Sequence, residues 1–547
     1  MAPDARELMQ VGRLYARALI RTGMIWNLRP SVLPVLVRQR LRGAGSGPSA
    51  LIRLAAAARP DALAVVDGHR RYTYAEIDRR VDAIAAGMRG RLGLSRGSSA
   101  VLVMRNRVEL LEAQAALGRV GASTVAASTR STPAELEYLL GHSGASALFV
   151  DAELEDVARA AVARSDALGG VRIVVVGSAR DGLVAYDELA AGAAAAVDDD
   201  AEAAVVIYTS GTTGRPKGAV RRFPREVRLA VLQFLLETPL RADDRHLVVC
   251  PMYHSTAFAF VGFTLGLGGT VVLAPRFEPE AFLETVQRER ITTTAVVPTM
   301  LHRLCELPPE IVARYDTRSL RAVFSGGAPL SGPLARRFME RFGHVLYNFY
   351  GATETGINTI ASPEELLEAP GTIGHVVPGN EIRLLDEEGR DVPPGVTGEL
   401  YVRNAMLVAG YHRDEEATAA SMRDGFFSVG DLAHRDERGL YFIDGRKRDM
   451  IISGGVNVYP AEVEQALLAH PAVAEAAVVG VPDEEWGERV RAFVALHAGS
   501  SVSAEELVAW ARERLAGPKV PREIVILDEL PKNPTGKVLK RELRARP

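Results

Sequence analysis

Cysteine is nearly absent from this 547-residue chain: Cys250 and Cys305 are the only two, far apart and without metal-ligand spacing. That excludes a disulfide framework and a zinc site, and a reducing cytoplasm is the expected setting. Lysine is almost as scarce, with six among 65 basic residues, at 217, 447, 519, 532, 537 and 540. A chain that writes nearly all its positive charge as arginine should keep lysine where a compact ammonium on a flexible stem is needed. Net charge is lacking too. At −3 the chain offers no field for nucleic acid, so that partner is not expected. Internal repeats are absent, and low complexity is confined to the alanine-rich stretch near Ala191 to Val197.

What is present is ordinary for a globular protein, 47% apolar and 24% charged, and the length calls for two or more domains. Residues 1 to 47 carry eight arginines against Asp4 and Glu7, with Leu8, Val11, Leu14, Tyr15, Ala18 and Leu19 at helical spacing. This basic amphipathic segment lacks the apolar core and cleavage site of a signal peptide. It can pack on its own domain, the favoured reading, or lie on an anionic membrane surface as a peripheral contact. Leu247 to Pro275 contains no Asp, Glu, Lys or Arg, yet Pro251, His254, Gly266, Gly268 and Gly269 split it into strand, helix and strand, so no transmembrane helix is expected.

From about 50 to 330, helices alternate with apolar strands. Capping signatures at Thr73/Glu76 and Thr132/Glu135 start helices, and strand-like runs appear at Ala147 to Val150, Val171 to Gly177, Ala203 to Ile207, His246 to Cys250, Thr270 to Leu273, Thr294 to Val297 and Arg321 to Phe324. Helices between strands imply parallel pairing, so the fold class is α/β with mixed, mostly parallel sheets. After about 370 the texture turns to short strands, a small β-rich subdomain. From 447 onward, helices at Ala461 to Leu468 and after Ser503, with strands at Ala476 to Val481 and Ile524 to Leu527, suggest a small α+β domain. The expected division is 1–47, 48–446 and 447–547.

Tyr208 to Gly218, YTSGTTGRPKG, is read as a loop after the Ala203 to Ile207 strand, with five hydroxyls, three glycines and two cations. Its glycines let backbone approach a ligand and its hydroxyls and cations suit phosphate. A plain surface turn would not need Arg215 and Lys217 beside so many anion donors, and Gly218 stands where the common P-loop has a magnesium-binding Ser or Thr. Four further clusters follow: SGGAPL from Ser325, NFYGATETG from Asn348, SVGD from Ser428 with GRKRD and SGG behind it, and PKNPTGK ending at Lys537. Glu354 among hydroxyls can hold magnesium on phosphate oxygens, and Asp431 can take two ribose hydroxyls. Each cluster alone is a weak signal.

In this order and spacing they resemble the adenylate-forming superfamily of acyl-CoA synthetases, adenylation domains and beetle luciferases, especially its fatty acyl-CoA synthetase branch. GELYVRN, GDLAHRDERGLYFIDGR and SGGVNVYPAEVE extend the resemblance over roughly residues 50 to 545. The resemblance implies that Thr209, Ser210, Gly211, Thr212, Thr213, Gly214 and Lys217 hold the β- and γ-phosphates of ATP. Gly326, Gly327 and Ala328 would frame the adenine with Asn348, Tyr350 and Gly351; Thr353 would reach the α-phosphate and Glu354 the Mg2+; Asp431 and Arg446 would bind ribose. Lys537 would bridge the carboxylate and the α-phosphate, His254 and Phe258 would sit by the acyl pocket, and Ser453, Gly454 and Gly455 would approach CoA. Arg448 would be the hinge of a mobile C-terminal domain.

Three departures stand out: Val429 where a Thr is usual, Arg448 where Asp or Lys is commoner, and AVRRFP after Gly218 without a frequent histidine. The implied activity is ATP- and magnesium-dependent joining of a medium or long fatty acid to CoA through an acyl-adenylate. Alternatives are a CoA ligase for aromatic or other acids, an acyl-AMP ligase loading a carrier protein, a nucleotide-binding protein without catalysis, and a luciferase-like oxygenase. No carrier domain is expected after Lys537, and the oligomeric state is left open, a homodimer included.

Overall fold

The structure, a computed structural model, describes residues 5–27, 29–41, 47–180, 182–191, 203–209, 217–223, 227–453, 456–483, 486–532 and 537–546. The expected phosphate-loop residues Ser210, Gly211, Thr212, Thr213 and Gly214, the CoA-side Gly454 and Gly455, and most of the alanine-rich stretch lie outside them.

Two large sheets carry the main body. The first has nine strands, running from His375–Val376 through Gly356–Ala361, Leu346–Ala352, Ala322–Ser325, Thr293–Val296, Arg245–Val248, Thr270–Leu273 and Leu63–Asp67 to Arg70–Thr73. Its six inner strands are mutually parallel, and antiparallel strands close both edges. Crossover helices such as Ser255–Leu267 and Gly332–Phe342 cover it, which explains why the inner strands are buried on both faces and read as continuous apolar runs.

The second sheet has seven strands, parallel except for its last pair. That pair corrects one expectation. Val205–Thr209 (β1) and Lys217–Arg221 (β2) form an antiparallel hairpin in which Thr209 pairs with Lys217 and Tyr208 with Gly218. The strand therefore begins two residues later than expected and takes in Tyr208 and Thr209. Lys217 and Gly218 belong to a strand, because the alternating pattern of Lys217 to Arg221 continues a sheet edge.

A six-stranded antiparallel sheet follows, with Gly398–Arg403 at its centre and Asp431–Arg435 (β3) paired to Tyr441–Arg446 (β4). A five-stranded sheet over residues 451–527 is backed by Pro460–Leu468 and Ala504–Arg512 and has its own apolar core around Val463, Val478, Val494 and Leu507. The capping boxes at Thr73, Thr132 and Ser503 form as the sequence implies. Helix α1, Ala5–Thr22, packs on helix α2, Val227–Glu237, as the favoured reading of the N-terminal segment has it. No helix among the described residues is long and apolar enough to cross a membrane.

Candidate active site

The parallel strands of both sheets end at one cleft of about 2780 Å³. Open α/β sheets bind ligands beyond the carboxyl ends of their strands, and this volume exceeds a usual single-ligand pocket of about 300–1,000 Å³ severalfold. Lys217, Gly327, Thr353, Glu354, Asp431 and Lys537 all line it, so the structure brings together residues spread over more than half of the chain.

The polar side is already paired. Asp431 and Arg446 sit opposite each other in the β3–β4 register, with Arg446 Nε 3.2 Å from Asp431 Oδ1. Tyr350 Oη donates to the other carboxylate oxygen at 2.8 Å, and burial together with Asp431 raises the Tyr350 phenol well above its ordinary range. The carboxylate is thus held in a fixed orientation by a neutral donor and a cation. Gly326 and Gly351 are required by close approach: a Cβ on Gly326 would lie 2.4 Å from the Phe349 ring, and one on Gly351 2.0 Å from the Gly356 carbonyl. Asn348 is buried and donates to the Thr372 carbonyl at 3.0 Å, so it acts on the cleft by fixing the strand that carries Tyr350.

Glu354 is buried, and Tyr411 Oη donates to its Oε1 at 3.1 Å. Beneath it lies Arg221, at the end of β2, donating to the carbonyls of Thr353 (2.5 Å) and Met406 (2.7 Å). Burial pulls the Arg221 guanidinium down to about 10, against an upward pull from Glu354. Arg221, Tyr411 and Ser255, whose Oγ is 3.4 Å from Thr353 Oγ1, are residues the sequence reading missed. The signal for Arg221 was present: a charged residue continuing an apolar strand must be paired. Magnesium prefers one or two carboxylates plus phosphate oxygens over a dedicated protein cage. Glu354 is a buried carboxylate lining the cleft and belongs to no cluster of three metal-ligating side chains among the described residues, which fits a metal that arrives with the nucleotide.

Lys217 Nζ lies 3.8 Å from Asp414 Oδ2 and 5.2 Å over the Tyr411 ring. Lysines 447, 519, 532 and 540 are each ion-paired to a glutamate, at Glu399, Glu462, Glu475 and Glu464 respectively. Lys537 differs. Half-buried in the cleft, its ammonium is pulled down to about 8, chiefly by desolvation and then by Arg446 and Arg448, with Asp431 and Asp449 opposing. What sets Lys537 apart among the six lysines is its desolvation and its lowered ammonium. Arg448 lies on the turn Lys447–Asp449 directly after β4, and burial and Arg446 lower it. Ser453 is buried at the edge of the five-stranded sheet, facing Val456 and Gly487.

The apolar side is a chamber between α2 and helix α3, Ser255–Leu267. Phe258, Gly262 and Gly266 fall at helical spacing on one face of α3 and line it, and Phe223 lies against Phe258 with ring centroids 5.9 Å apart. A Cβ added to Gly262 would meet nothing within 4 Å, so this glycine leaves open space in the chamber. His254 is at its mouth, its ring tilted against that of Tyr253 with centroids 4.2 Å apart, and burial pushes its imidazole down to about 4, leaving it neutral at neutral pH.

Fold and site together fit an adenylate-forming ligase: a tyrosine- and arginine-held carboxylate at Asp431, a second carboxylate at Glu354, and a desolvated lysine close to the chain's end, all on one cleft. The family comparison agrees. Residues 52–412 match the model of the AMP-binding enzyme family and 462–537 that of its C-terminal domain. The chain belongs to this family. It is 38% identical over 510 residues to a feruloyl-CoA synthase of Amycolatopsis sp., covering 93% of this chain and 99% of the relative. An indoleacetate–CoA ligase of Aromatoleum aromaticum is 35% identical over 492 residues, with 89% and 95% covered. Among solved structures, an amide bond synthetase from Marinactinospora thermotolerans superposes with a TM-score of 0.83 at 28% identity, covering 91% of this chain and 99% of that one. The fatty-acid branch expected from the motifs is not where these relatives lie; CoA ligases for aromatic acids, held as an alternative, are. The cofactors expected, ATP, Mg2+ and CoA, are those of the family's CoA ligases.

Proposed function

We propose that the protein joins an aromatic or arylalkyl carboxylic acid to CoA at the expense of ATP. The chamber carries the reading: Phe223, Phe258 and Phe263 beside the open space at Gly262 suit a flat ring, and the CoA ligases it resembles act on acids of that kind. Residues 48–446 are assigned to ATP and acid, and 447–547 to a domain that turns about Arg448 between two half-reactions.

A carboxylate is a poor electrophile, so its oxygen must first become a good leaving group. The acid's oxygen attacks the α-phosphorus, the bond to the β-phosphate oxygen breaks, and pyrophosphate departs. Lys537, aimed at the junction, neutralises the two anions that must meet, a preorganised contact contributing on the order of 3 kcal/mol in the transition state. Glu354 would hold Mg2+, which supplies charge neutralisation on the phosphates when bound. Asp431 and Tyr350 orient the ribose, and Lys217 takes the phosphate end. The CoA thiol then attacks the acyl carbon and AMP leaves, a step needing no enzyme cysteine; Cys250 is buried with its thiol raised.

A panel of ferulate, indoleacetate, 2-succinylbenzoate and fatty acids of rising length, assayed by pyrophosphate release with and without CoA, tests the proposal. Aryl acids should give a thioester with the highest kcat/KM. Preference for a fatty acid, or acyl-AMP that passes only to an amine or carrier protein, overturns it.

A further inference from the structure

Among its described residues, the segment before residue 48 meets the cleft through Tyr15 and Met24, which reach the chamber wall. Its other surface has no such partner. On α1, Ala18 and Thr22 are each 1% exposed, and the Thr22 carbonyl accepts from the Ala242 amide at 2.8 Å, so the side holding Val11, Leu14 and Ala18 faces the body. At roughly 100° per residue, Met9, Ala16 and Ile20 then fall on the opposite side with Arg13 and Arg17 at its border. All five are exposed. The chain continues through Trp26, 86% exposed, to the helix Val32–Leu41, where Leu33, Leu36 and Val37 share one exposed face. Among the described residues, eight of thirteen exposed large hydrophobic side chains lie between positions 9 and 37, so the pattern is a patch and not scatter.

This patch is held in place. Ser31 Oγ donates to the Ala57 carbonyl at 2.6 Å, and Gln39 Nε2 to that of Ala50 at 3.2 Å, so the segment is anchored to the body along its length. Its charge is one-sided: Arg13, Arg17, Arg21 and Arg29 are exposed, and Asp4 and Glu7 are the only acids before residue 48. A second copy of so basic a face would repel the first, whereas an anionic surface complements it. Exposed tryptophan and aliphatic side chains rimmed by arginine are the chemistry of the bilayer interface.

We infer that residues 9–37 dock the enzyme on an anionic lipid bilayer, with Ile20, Trp26 and Leu33 entering the headgroup–acyl boundary and Arg13 and Arg17 contacting lipid phosphates. The docked segment is also the one that walls the acid chamber, which places the chamber close to the phase where a hydrophobic acid accumulates. The inference is independent of which acid is used.

Co-sedimentation of the full chain with vesicles of mixed phosphatidylglycerol and phosphatidylcholine, and with phosphatidylcholine alone, tests it. Retention on the mixed vesicles, weak retention on the neutral ones and a blue shift of tryptophan emission are expected. Ile20→Ser/Trp26→Ser/Leu33→Ser should abolish the blue shift, and Arg13→Gln/Arg17→Gln should lower partitioning on the order of tenfold or more. Turnover of a water-soluble acid should be unchanged in both. Absence of retention, or equal retention of wild type and variants, overturns the inference. So does a wild-type dimer in sedimentation equilibrium that the triple variant dissolves, because the patch then belongs to a second copy.

Discussion

The two halves of the cleft are built on opposite principles. On the polar side the charged groups described are paired within the protein: Asp431 with Arg446 and Tyr350, Glu354 with Tyr411, Arg221 with two carbonyls. On the acid side the walls are aromatic and aliphatic, and specificity is written as space, with Gly262 the clearest instance. A prepaid polar site tolerates little change, because removing one partner strands another. An apolar chamber can be reshaped by one side chain. The first half therefore fixes the reaction, and the second is free to choose the acid.

In the proposed reaction Lys537 joins the halves, and its loss should produce the largest effect. Lys537→Ala should lower the adenylation rate by about two to three orders of magnitude, while supplied acyl-AMP is still converted to acyl-CoA. Equal damage to both half-reactions would show that the lysine serves the fold and not the first step. The ammonium is needed protonated, and in the free enzyme it titrates at about 8. The kcat/KM of adenylation should then be flat below pH 8 and fall as pH rises through it, since kcat/KM reports the free enzyme. Lys537→Arg, which keeps its charge, should abolish that alkaline limb whatever its residual rate.

Arg221 tests whether the polar half is as rigid as its pairing implies. Arg221→Leu removes a buried cation that holds the Thr353 and Met406 carbonyls, leaving both unpaired beside Glu354. A loss of about 3 kcal/mol in unfolding free energy is expected, with the ATP dependence impaired in whatever remains folded. Unchanged stability would mean that the carbonyls find other partners and that the site is less preorganised than the comparison holds.

Gly262 tests the other half. Gly262→Leu projects into space that is empty around its Cβ, so it should fold normally yet fill the chamber. The kcat/KM for a large aryl acid should fall about a hundredfold relative to a small one, with KM for ATP unmoved. A uniform loss across acids would place the ring elsewhere.

The same contrast explains what could be read from the sequence. The α/β class was legible because buried parallel strands are continuous apolar runs, as at Thr270–Leu273, and helix starts carry their caps locally, as at Thr73 and Ser503. The motifs of the polar half were legible because phosphate chemistry demands particular residue types in short stretches. Arg221 and Tyr411 escaped because their roles exist only through contacts made at long sequence separation. Only the ends of the stretch read as a loop are corrected, since strand pairing carries Tyr208, Thr209, Lys217 and Gly218. The acid chamber assembles from α2, α3 and α1, none of which carries a signature of ring or chain. An apolar residue in a pocket looks like one in a core, so the aromatic acid of the proposed function rests on the relatives and on the lining of the chamber.

Tyr350 offers the finest test, since its hydroxyl touches only the ribose clamp. Tyr350→Phe removes the 2.8 Å bond to Asp431 and leaves the carboxylate with Arg446. One neutral-to-charged hydrogen bond within a retained ion pair should cost about 1 kcal/mol, seen as a roughly fivefold rise in KM for ATP. Because burial keeps the phenol protonated far above neutral pH, the effect should be the same from pH 6 to 9. The KM for the acid should not move, since no part of the ring's hydroxyl face belongs to the chamber. If the acid's KM rises in step with that of ATP, the two halves are mechanically coupled through the Leu346–Ala352 strand, and the polar clamp would then set the geometry of the acid site as well as its own.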